Sequence, residues 1–407
     1  MFGKQVVKFS IDGIEMIGNS DNGSIIGLSD KGKNLVEKII QGKEINPKLL
    51  SEEENILYNT LYKQQYFKES EERGLRVAYV HVNNTCNLHC MGCYSHDSSR
   101  NKDKNLSFEE VCLILTKLKK MGAEGIVISG GEPFLRDDIY DIFKFIKEEL
   151  GFCSLQVITN GTQKYSENIQ SIQKYVDEIN VSIDGYSAEV PTFIRDEWIY
   201  NRVMNSVKFF KDSKVNVKML ATLHRKNIEN IKEYLSLSKK MNVPIGFSLL
   251  TVAGDFKDFH EWLATGEQLR RLGMGELLEV NKISTEINPD SFVFSCRKSC
   301  GVGKRIISIA SDGNVYPCHM LHNEKLLLGN ILTDSRIVLE KACDEFSDKI
   351  DVDHIEKCRE CKYRYVCGGG CRAPMINNYN EVKEQADCEL STAYFEKIMD
   401  SIKKSIS

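Results

Sequence analysis

At 407 residues the chain is long enough for two or three domains and a sizeable core. Apolar residues make up 42% and charged residues 28%, an ordinary globular balance, and a net charge of −4 gives no reason to expect nucleic acid or an anionic membrane as partner. The first residues lack a basic stretch followed by an apolar core, and no apolar run approaches the roughly 20 residues that cross a bilayer, so the cytoplasm is the expected location. Of the fourteen cysteines, three fall within residues 86–93 and nine between 296 and 388. In a cytoplasmic chain, thiols clustered in this way are more often metal ligands than disulfides.

Residues 1–75 read as a compact winged-helix-like module. Val6–Phe9, Glu15–Ile17 and Ser24–Leu28 are short strand candidates, broken by the hairpin signals Asp12-Gly13 and Asp21-Asn22-Gly23. Ser29 or Asp30 can cap a first helix presenting Leu35, Val36, Ile39 and Ile40. Ser51-Glu52-Glu53-Glu54 opens a second with a capping-box pattern, carrying Ile56, Leu57, Leu61 and Tyr62. Such a module can take up an extended peptide along a sheet edge.

From residue 76 to about 275, strand and helix patterns alternate. The strand candidates are 76–83, 125–130, 155–159, 178–184, 215–222 and 244–252. Between them run amphipathic helices; one begins at Ser107, has Glu110 three residues on, and points Val111, Leu115 and Leu118 inward. Six such repeats predict an α/β fold built on parallel strands with right-handed crossovers, a partial (β/α)6 TIM-like barrel. Functional groups then belong at the C-terminal ends of the strands.

The unusual residues lie at those ends. Cys86-x3-Cys90-x2-Cys93 follows the first strand and suits three corners of a [4Fe–4S] cubane, leaving the fourth iron open to a chelating small molecule. Ser129-Gly130-Gly131-Glu132-Pro133, Thr159-Asn160-Gly161 and Ser182-Ile183-Asp184-Gly185 end the next three. Gly130 and Gly131 leave backbone groups open to a ligand, and Glu132 can accept from a ligand ammonium group.

These motifs together resemble the radical S-adenosylmethionine (SAM) enzymes over roughly residues 76–275. The resemblance implies that SAM chelates the open iron through its amine and carboxylate. Gly130, Gly131 and Glu132 would hold the amine, Ser182 would lie near the ribose, Arg195 would pair with the carboxylate, and Leu250 would border the adenine. Pro133, Asn160 and Asp184 complete the implied cofactor shell. An electron from the cluster would cleave SAM to methionine and a 5′-deoxyadenosyl radical that abstracts hydrogen from a substrate. Gly92 departs from the pattern, because the family usually has a bulky side chain there; Tyr94 is the candidate to compensate. Arg195 is followed by Asp196, not by the frequent glycine.

The later cysteines run Cys300-x12-Gly313-x4-Cys318, then Cys358-x2-Cys361-x5-Cys367-x3-Cys371, then Cys388. This pattern resembles the SPASM extension of radical SAM enzymes and implies a C-terminal iron–sulfur cluster domain over 281–407, after a barrel spanning 76–280. Carried over, Cys300, Cys318 and Cys371, with Cys296 as fourth ligand, hold auxiliary cluster I. Cys358, Cys361, Cys367 and Cys388 hold auxiliary cluster II, which makes three [4Fe–4S] clusters in all. A pair of four-cysteine zinc sites is the competing reading of the same spacing. Cys112, Cys153 and Cys343 fit no cluster and read as buried thiols. His319, beside Cys318, is a candidate catalytic base where sulfatase maturases carry aspartate; such a histidine otherwise only supports the neighbouring ligand by a hydrogen bond.

The resemblance implies an enzyme that captures a ribosomally made precursor peptide by its leader and crosslinks it, through a thioether or a carbon–carbon bond. A small electron carrier such as flavodoxin or ferredoxin would serve it. Alternatives are a sulfatase-maturase-like oxidation of a protein serine or cysteine, oxidation of a small molecule, and a non-enzymatic iron or zinc scaffold.

Overall fold

The structure, a computed structural model, describes residues 1–69, 74–95, 100–102, 105–251, 260–275, 294–377 and 386–406. Strands β1 (Val6–Ile11), β2 (Ile14–Asn19) and β3 (Ile25–Gly27) form an antiparallel meander. Asp12 and Gly13 both take positive φ, 50° and 84°, as a two-residue hairpin turn between right-twisted strands requires. Ser29 caps the helix Asp30–Ile40, and Ser51 with Glu54 forms a full capping box on the helix Glu52–Lys63. Leu35, Val36, Ile39 and Leu61 are buried with Ile17 and Tyr66 beneath the sheet. Ile40, Ile56 and Tyr62 are not: they are 51%, 63% and 72% exposed. Leu57 and Leu61, one turn apart, set the line facing the core, and Ile56 and Tyr62 each lie one residue off it.

The barrel strands are β4 (Val77–His81), β5 (Gly125–Ser129), β6 (Ser154–Thr159), β7 (Glu178–Ile183), β8 (Val217–Leu223) and β9 (Ile245–Leu249), each parallel to the next. One face carries Ala78, Val80, Ile126, Ile128, Leu155, Val157, Ile179, Val181 and Met219, packed with the helical Val111, Leu115 and Leu118. The other face carries Tyr79, His81, Ser129, Gln156, Asn180, Ser182, Lys218 and Thr222. A parallel sheet covered on both faces is apolar throughout. This alternation instead leaves one polar and aromatic face for binding.

Beyond the barrel come β10 (Ile306–Ile309), β11 (Asn314–Tyr316) and β12 (Gly329–Asn330). β10 pairs in parallel with β4, and β11 and β12 follow antiparallel, giving a nine-stranded sheet in the order β12-β11-β10-β4-β5-β6-β7-β8-β9. The boundary expected near residue 281 therefore does not separate one core from another: Ile307, Ile309 and Val315 share theirs with Ala78 and Val80. An exposed β4 edge would present unpaired backbone groups, and β10 covers it.

The N-terminal meander also docks on the C-terminal region. Phe9 meets Tyr365 edge-on at 5.5 Å, and Ile11 and Met16 pack with Tyr363, Val366, Phe395 and Met399. Asp12 pairs with Lys362 at 2.5 Å and Lys403 at 2.9 Å.

Candidate functional site

The loop leaving β4 carries Cys86, Cys90 and Cys93, and the next three rims are built against it. Gly131 N–H donates to Asn83 O at 2.9 Å, and Glu132 N–H to Thr85 O at 2.8 Å. A Cβ on Gly131 would sit 2.0 Å from Thr85 O, and one on Gly130, whose φ is +132°, 2.4 Å from Asn83 O. The two glycines thus let the β5 turn touch the root of the cysteine loop, and the amides of residues 131 and 132 are already bonded there.

Glu132 is fully buried. Thr159 Oγ1 (2.7 Å) and Phe134 N (3.2 Å) donate to its Oε1, and Asn160 N (2.7 Å) to its Oε2. The carboxylate therefore ties β5 to β6, where a ligand ammonium contact was expected. Burial pushes its pKa from 4.5 to about 7. A raised folded-state value adds stability below the unfolded pKa and loses it as pH climbs through the folded one. We expect the cluster-free protein to lose on the order of 3 kcal/mol from this group between pH 4.5 and 8, measurable by denaturant titration across that window.

Asn160 Nδ2 donates to Asn87 Oδ1 at 3.0 Å, and Asn87 Nδ2 to Thr162 Oγ1 at 2.8 Å, so the β6 rim also grips the cysteine loop. From the β7 rim, Ile194 O accepts from Met91 N–H at 2.8 Å, and Asp196 Oδ2 from His89 N–H at 3.3 Å. Asp184, expected in the cofactor shell, organises this rim. Its Oδ2 accepts from Thr192 Oγ1 (2.8 Å) and from the backbone N–H groups of Phe193 (2.6 Å), Ile194 (2.8 Å) and Arg195 (2.8 Å). Arg195 is thereby presented beside Cys90 and Glu132, and its guanidinium has no hydrogen bond or ion pair among the described residues. Ser182 lies half-buried on the polar face of β7, and Pro133 is buried at the start of a short 3-10 turn.

Burial raises the pKa of the Cys86 thiol and takes that of Cys90 to about 11, with mutual thiolate repulsion added and the charges of Arg100 and Arg195 opposing. Arg100, outside the sequence expectation, brings Nη2 to 3.8 Å from Cys93 Sγ. Gly92 has φ +71°, which disfavours any side chain at position 92 and accounts for the missing bulky residue. Tyr94 does not compensate near Leu250. Its hydroxyl pairs with Ser129 Oγ at 2.8 Å and its ring meets His319 edge-on at 5.3 Å. Met91 is the side chain packed with Leu250 and Ile194, together with Phe193 and Trp262. A lone apolar residue between a cysteine and a glycine was the signal for it.

The C-terminal thiols form two groups. Burial raises the pKa of Cys358 and of Cys388, and the nearby Cys361 and Cys367 add to it in both, so the four thiols lie close together. Cys300 acts in the same way on Cys318, whose pKa burial raises to about 12, and Cys371 is exposed after three glycines of positive φ. Cys296 sits with Val352, Cys358 and Tyr365 against the N-terminal meander, whereas Cys318 packs with Val302 and Leu321. A Cβ on Gly18 would lie 2.6 Å from Cys296 Sγ. Cys343 is buried, but Cys153 is exposed and Cys112 half-exposed, contrary to expectation. Among the described residues, no three His, Cys, Asp or Glu groups converge as a single ion requires. A zinc site draws its thiolates to about 2.3 Å of one centre, whereas a cluster spreads them around a larger body.

His319 is stacked on Tyr79 at 4.2 Å, its Nδ1 has no partner among the described residues, and burial lowers its pKa to about 4. A neutral, stacked ring is a poorer base than the sequence suggested.

Residues 80–237 match the family model of the radical SAM superfamily, and residues 300–362 match the SPASM iron–sulfur cluster-binding domain. The chain is a radical SAM enzyme. It is 25% identical to the mycofactocin maturase MftC of Mycolicibacterium smegmatis, over 75% of this chain and 81% of that protein. It is 24% identical to the AdoMet-dependent heme synthase of Methanosarcina barkeri, over 71% and 88%. Among solved structures, native anSMEcpe with bound AdoMet superposes with a TM-score of 0.64 at 17% identity, covering 81% of this chain and 98% of that one. Streptococcus suis SuiB bound to precursor peptide SuiA gives 0.58 at 16%, covering 93% and 96%. At these identities the structures show a shared fold alone. As a radical SAM enzyme with a SPASM domain, the chain uses SAM and iron–sulfur clusters. No helix among the described residues is long and apolar enough to cross a membrane.

Proposed function

We propose that this radical SAM/SPASM enzyme is a peptide maturase that crosslinks a ribosomally made precursor through a thioether or carbon–carbon bond. The observation that carries the reading is the meeting of four loops around Cys86, Cys90 and Cys93, with the unpaired guanidinium of Arg195 beside them. Those thiols would hold the cluster that SAM chelates. Bound together, the two supply one-electron cleavage of SAM to a 5′-deoxyadenosyl radical. Arg195 suits the SAM carboxylate, and Met91, Ile194 and Leu250 offer the adenine an apolar seat. Cys358, Cys361, Cys367 and Cys388 would hold one auxiliary cluster, and Cys300, Cys318 and Cys371 the other. With Cys296 packed near Cys358, that second cluster has three protein ligands in this reading. A flavodoxin or ferredoxin in the cytoplasm is the proposed electron source.

The N-terminal module supports a peptide over a small-molecule substrate. Met1, Ile40, Leu49, Ile56 and Tyr62 account for five of the ten large apolar side chains exposed among the described residues. Large apolar side chains left exposed on one module suit a protein-binding surface. A cavity of about 270 Å³ lined by Met1, Phe2, Val6, Lys8, Ile17 and Ile40 lies beside the β1 edge. Deleting the module is a poor test, because it would strip Phe9, Ile11 and Met16 from the C-terminal core. Ile40→Asp is cleaner. We expect it to weaken precursor binding about tenfold by fluorescence anisotropy, with SAM cleavage retained. The central test is anaerobic incubation of cluster-loaded enzyme, SAM and dithionite with a peptide encoded beside the gene. A product lighter by two hydrogens per crosslink is expected, and none with any such peptide would sink the maturase reading.

A further inference from the structure

Seven buried side-chain nitrogen or oxygen atoms lack a hydrogen-bond partner among the described residues, and three of them, His81 Nε2, His319 Nδ1 and Arg100 Nε, gather in one place. His81 ends β4, is 4% exposed, and stacks on His322 at 4.4 Å. Tyr94 bridges it to His319, with centroids at 6.0 and 5.3 Å. His322 stacks in turn on Tyr316 at 4.6 Å and pairs with Ser308 Oγ at 2.8 Å. Arg100 is close enough to oppose protonation of His81 and to favour ionisation of Tyr94. This wall lies between the residue after Cys93 and the residue after Cys318, on the polar face of the barrel.

Each buried, unpaired polar atom costs roughly 1–3 kcal/mol. Three on one wall break the rule that buried polar groups are satisfied, and proteins break such rules mainly at working sites. The inventory is specific. A guanidinium N–H donates only, whereas each neutral imidazole nitrogen donates or accepts according to its tautomer. A main-chain amide complements the set: its carbonyl oxygen accepts from Arg100 Nε and one imidazole N–H, and its own N–H donates to the other imidazole in its accepting tautomer.

We infer that His81, His319 and Arg100 form a receptor for a main-chain amide of the substrate, and that His81 is a specificity-determining residue. The inference rests on the maturase reading and deepens it: the enzyme grips the backbone next to the reacting carbon, so side-chain identity is read elsewhere. A free amine or a porphyrin-like ring without an amide leaves the receptor unpaired.

Two measurements on the full chain test this. The first needs no ligand. His81→Phe replaces the unpaired nitrogen by carbon in a ring of similar size, and should raise the melting temperature of both metal-free and cluster-loaded protein by about 2 °C. His81→Gln, which keeps a polar terminus, should not. An unchanged or lower melting temperature for His81→Phe means the nitrogen is already satisfied and ends the proposal. The second uses N-acetylglycinamide deuterated at Cα, with SAM and dithionite. The probe's C–D bond breaks and deuterium is recovered in the 5′-methyl group of 5′-deoxyadenosine. The carbon left behind takes one electron from dithionite and a proton from water. Deuterium per 5′-deoxyadenosine should rise with probe concentration in the wild type, fall about tenfold in His81→Phe, and recover in His81→Gln. Unlabelled 5′-deoxyadenosine from the wild type, or equal labelling in His81→Phe, overturns the receptor alone. No 5′-deoxyadenosine at all overturns the catalytic reading beneath it.

Discussion

Asp184→Asn should loosen the loop that presents Arg195. Its Oδ2 gathers one hydroxyl and three backbone donors from residues 192–195, and no ligand is needed to explain its placement. Asparagine is neutral, and its NH2 group cannot accept. One or two of those donors would lose their partner in a site that is 8% exposed. Hydrogen bonds to a carboxylate contribute roughly 1.5–3 kcal/mol each, so a loss of about 3 kcal/mol in loop stability is expected. The loop presents Arg195 and, through Ile194, holds Met91. SAM affinity should therefore fall about 100-fold, read by equilibrium dialysis, while iron content stays near wild type. If Asp184 instead touched SAM directly, Arg195 and Ile194 would keep wild-type protection from hydrogen exchange in the variant.

Gly131→Ala should act on the metal instead. Its new Cβ meets a backbone oxygen at 2.0 Å, and a carbonyl in the loop cannot swing aside as a side-chain tip can. The contacts Gly131 N–Asn83 O and Glu132 N–Thr85 O must open, which frees the root of the cysteine loop. We expect iron content to fall by about one cubane's worth, about four atoms per chain, and SAM cleavage to vanish with it. Gly130→Ala should behave alike, because φ +132° disfavours alanine there before any contact is counted. Full iron loading in Gly131→Ala would show that the loop tolerates separation from β5.

Both predictions rest on contacts between rims, which is where reading the chain by itself runs out. The alternation of short apolar runs with capped helices was enough to place the barrel strands within a few residues, because strand period and helix caps are local properties. Cysteine spacing is local too, so the thiol loop was legible. The orientation of Glu132 was not: a carboxylate after two glycines looks the same whether it faces a ligand or the end of β6. Asp184 posed the same ambiguity, and the donors that claim it lie eight to eleven residues away. Cys296 is carried over by resemblance as the fourth ligand beside Cys300, Cys318 and Cys371. The structure seats it against Gly18, a contact across most of the chain.

The chain's own order of residues thus determined the parallel barrel, the polar alternation along its strands, the grouping of thiols and the hairpin of the first twenty residues. All follow from backbone preference and from periodicity over a few residues. Only the tertiary structure decided that β10 closes onto β4, that the N-terminal meander roofs the late cysteines, and that His81 Nε2, His319 Nδ1 and Arg100 Nε are left without hydrogen-bond partners among the described residues. Each of these joins segments far apart in sequence. Such pairings are selected by which buried edges, faces and polar atoms must find one another, and local residue patterns do not carry that information.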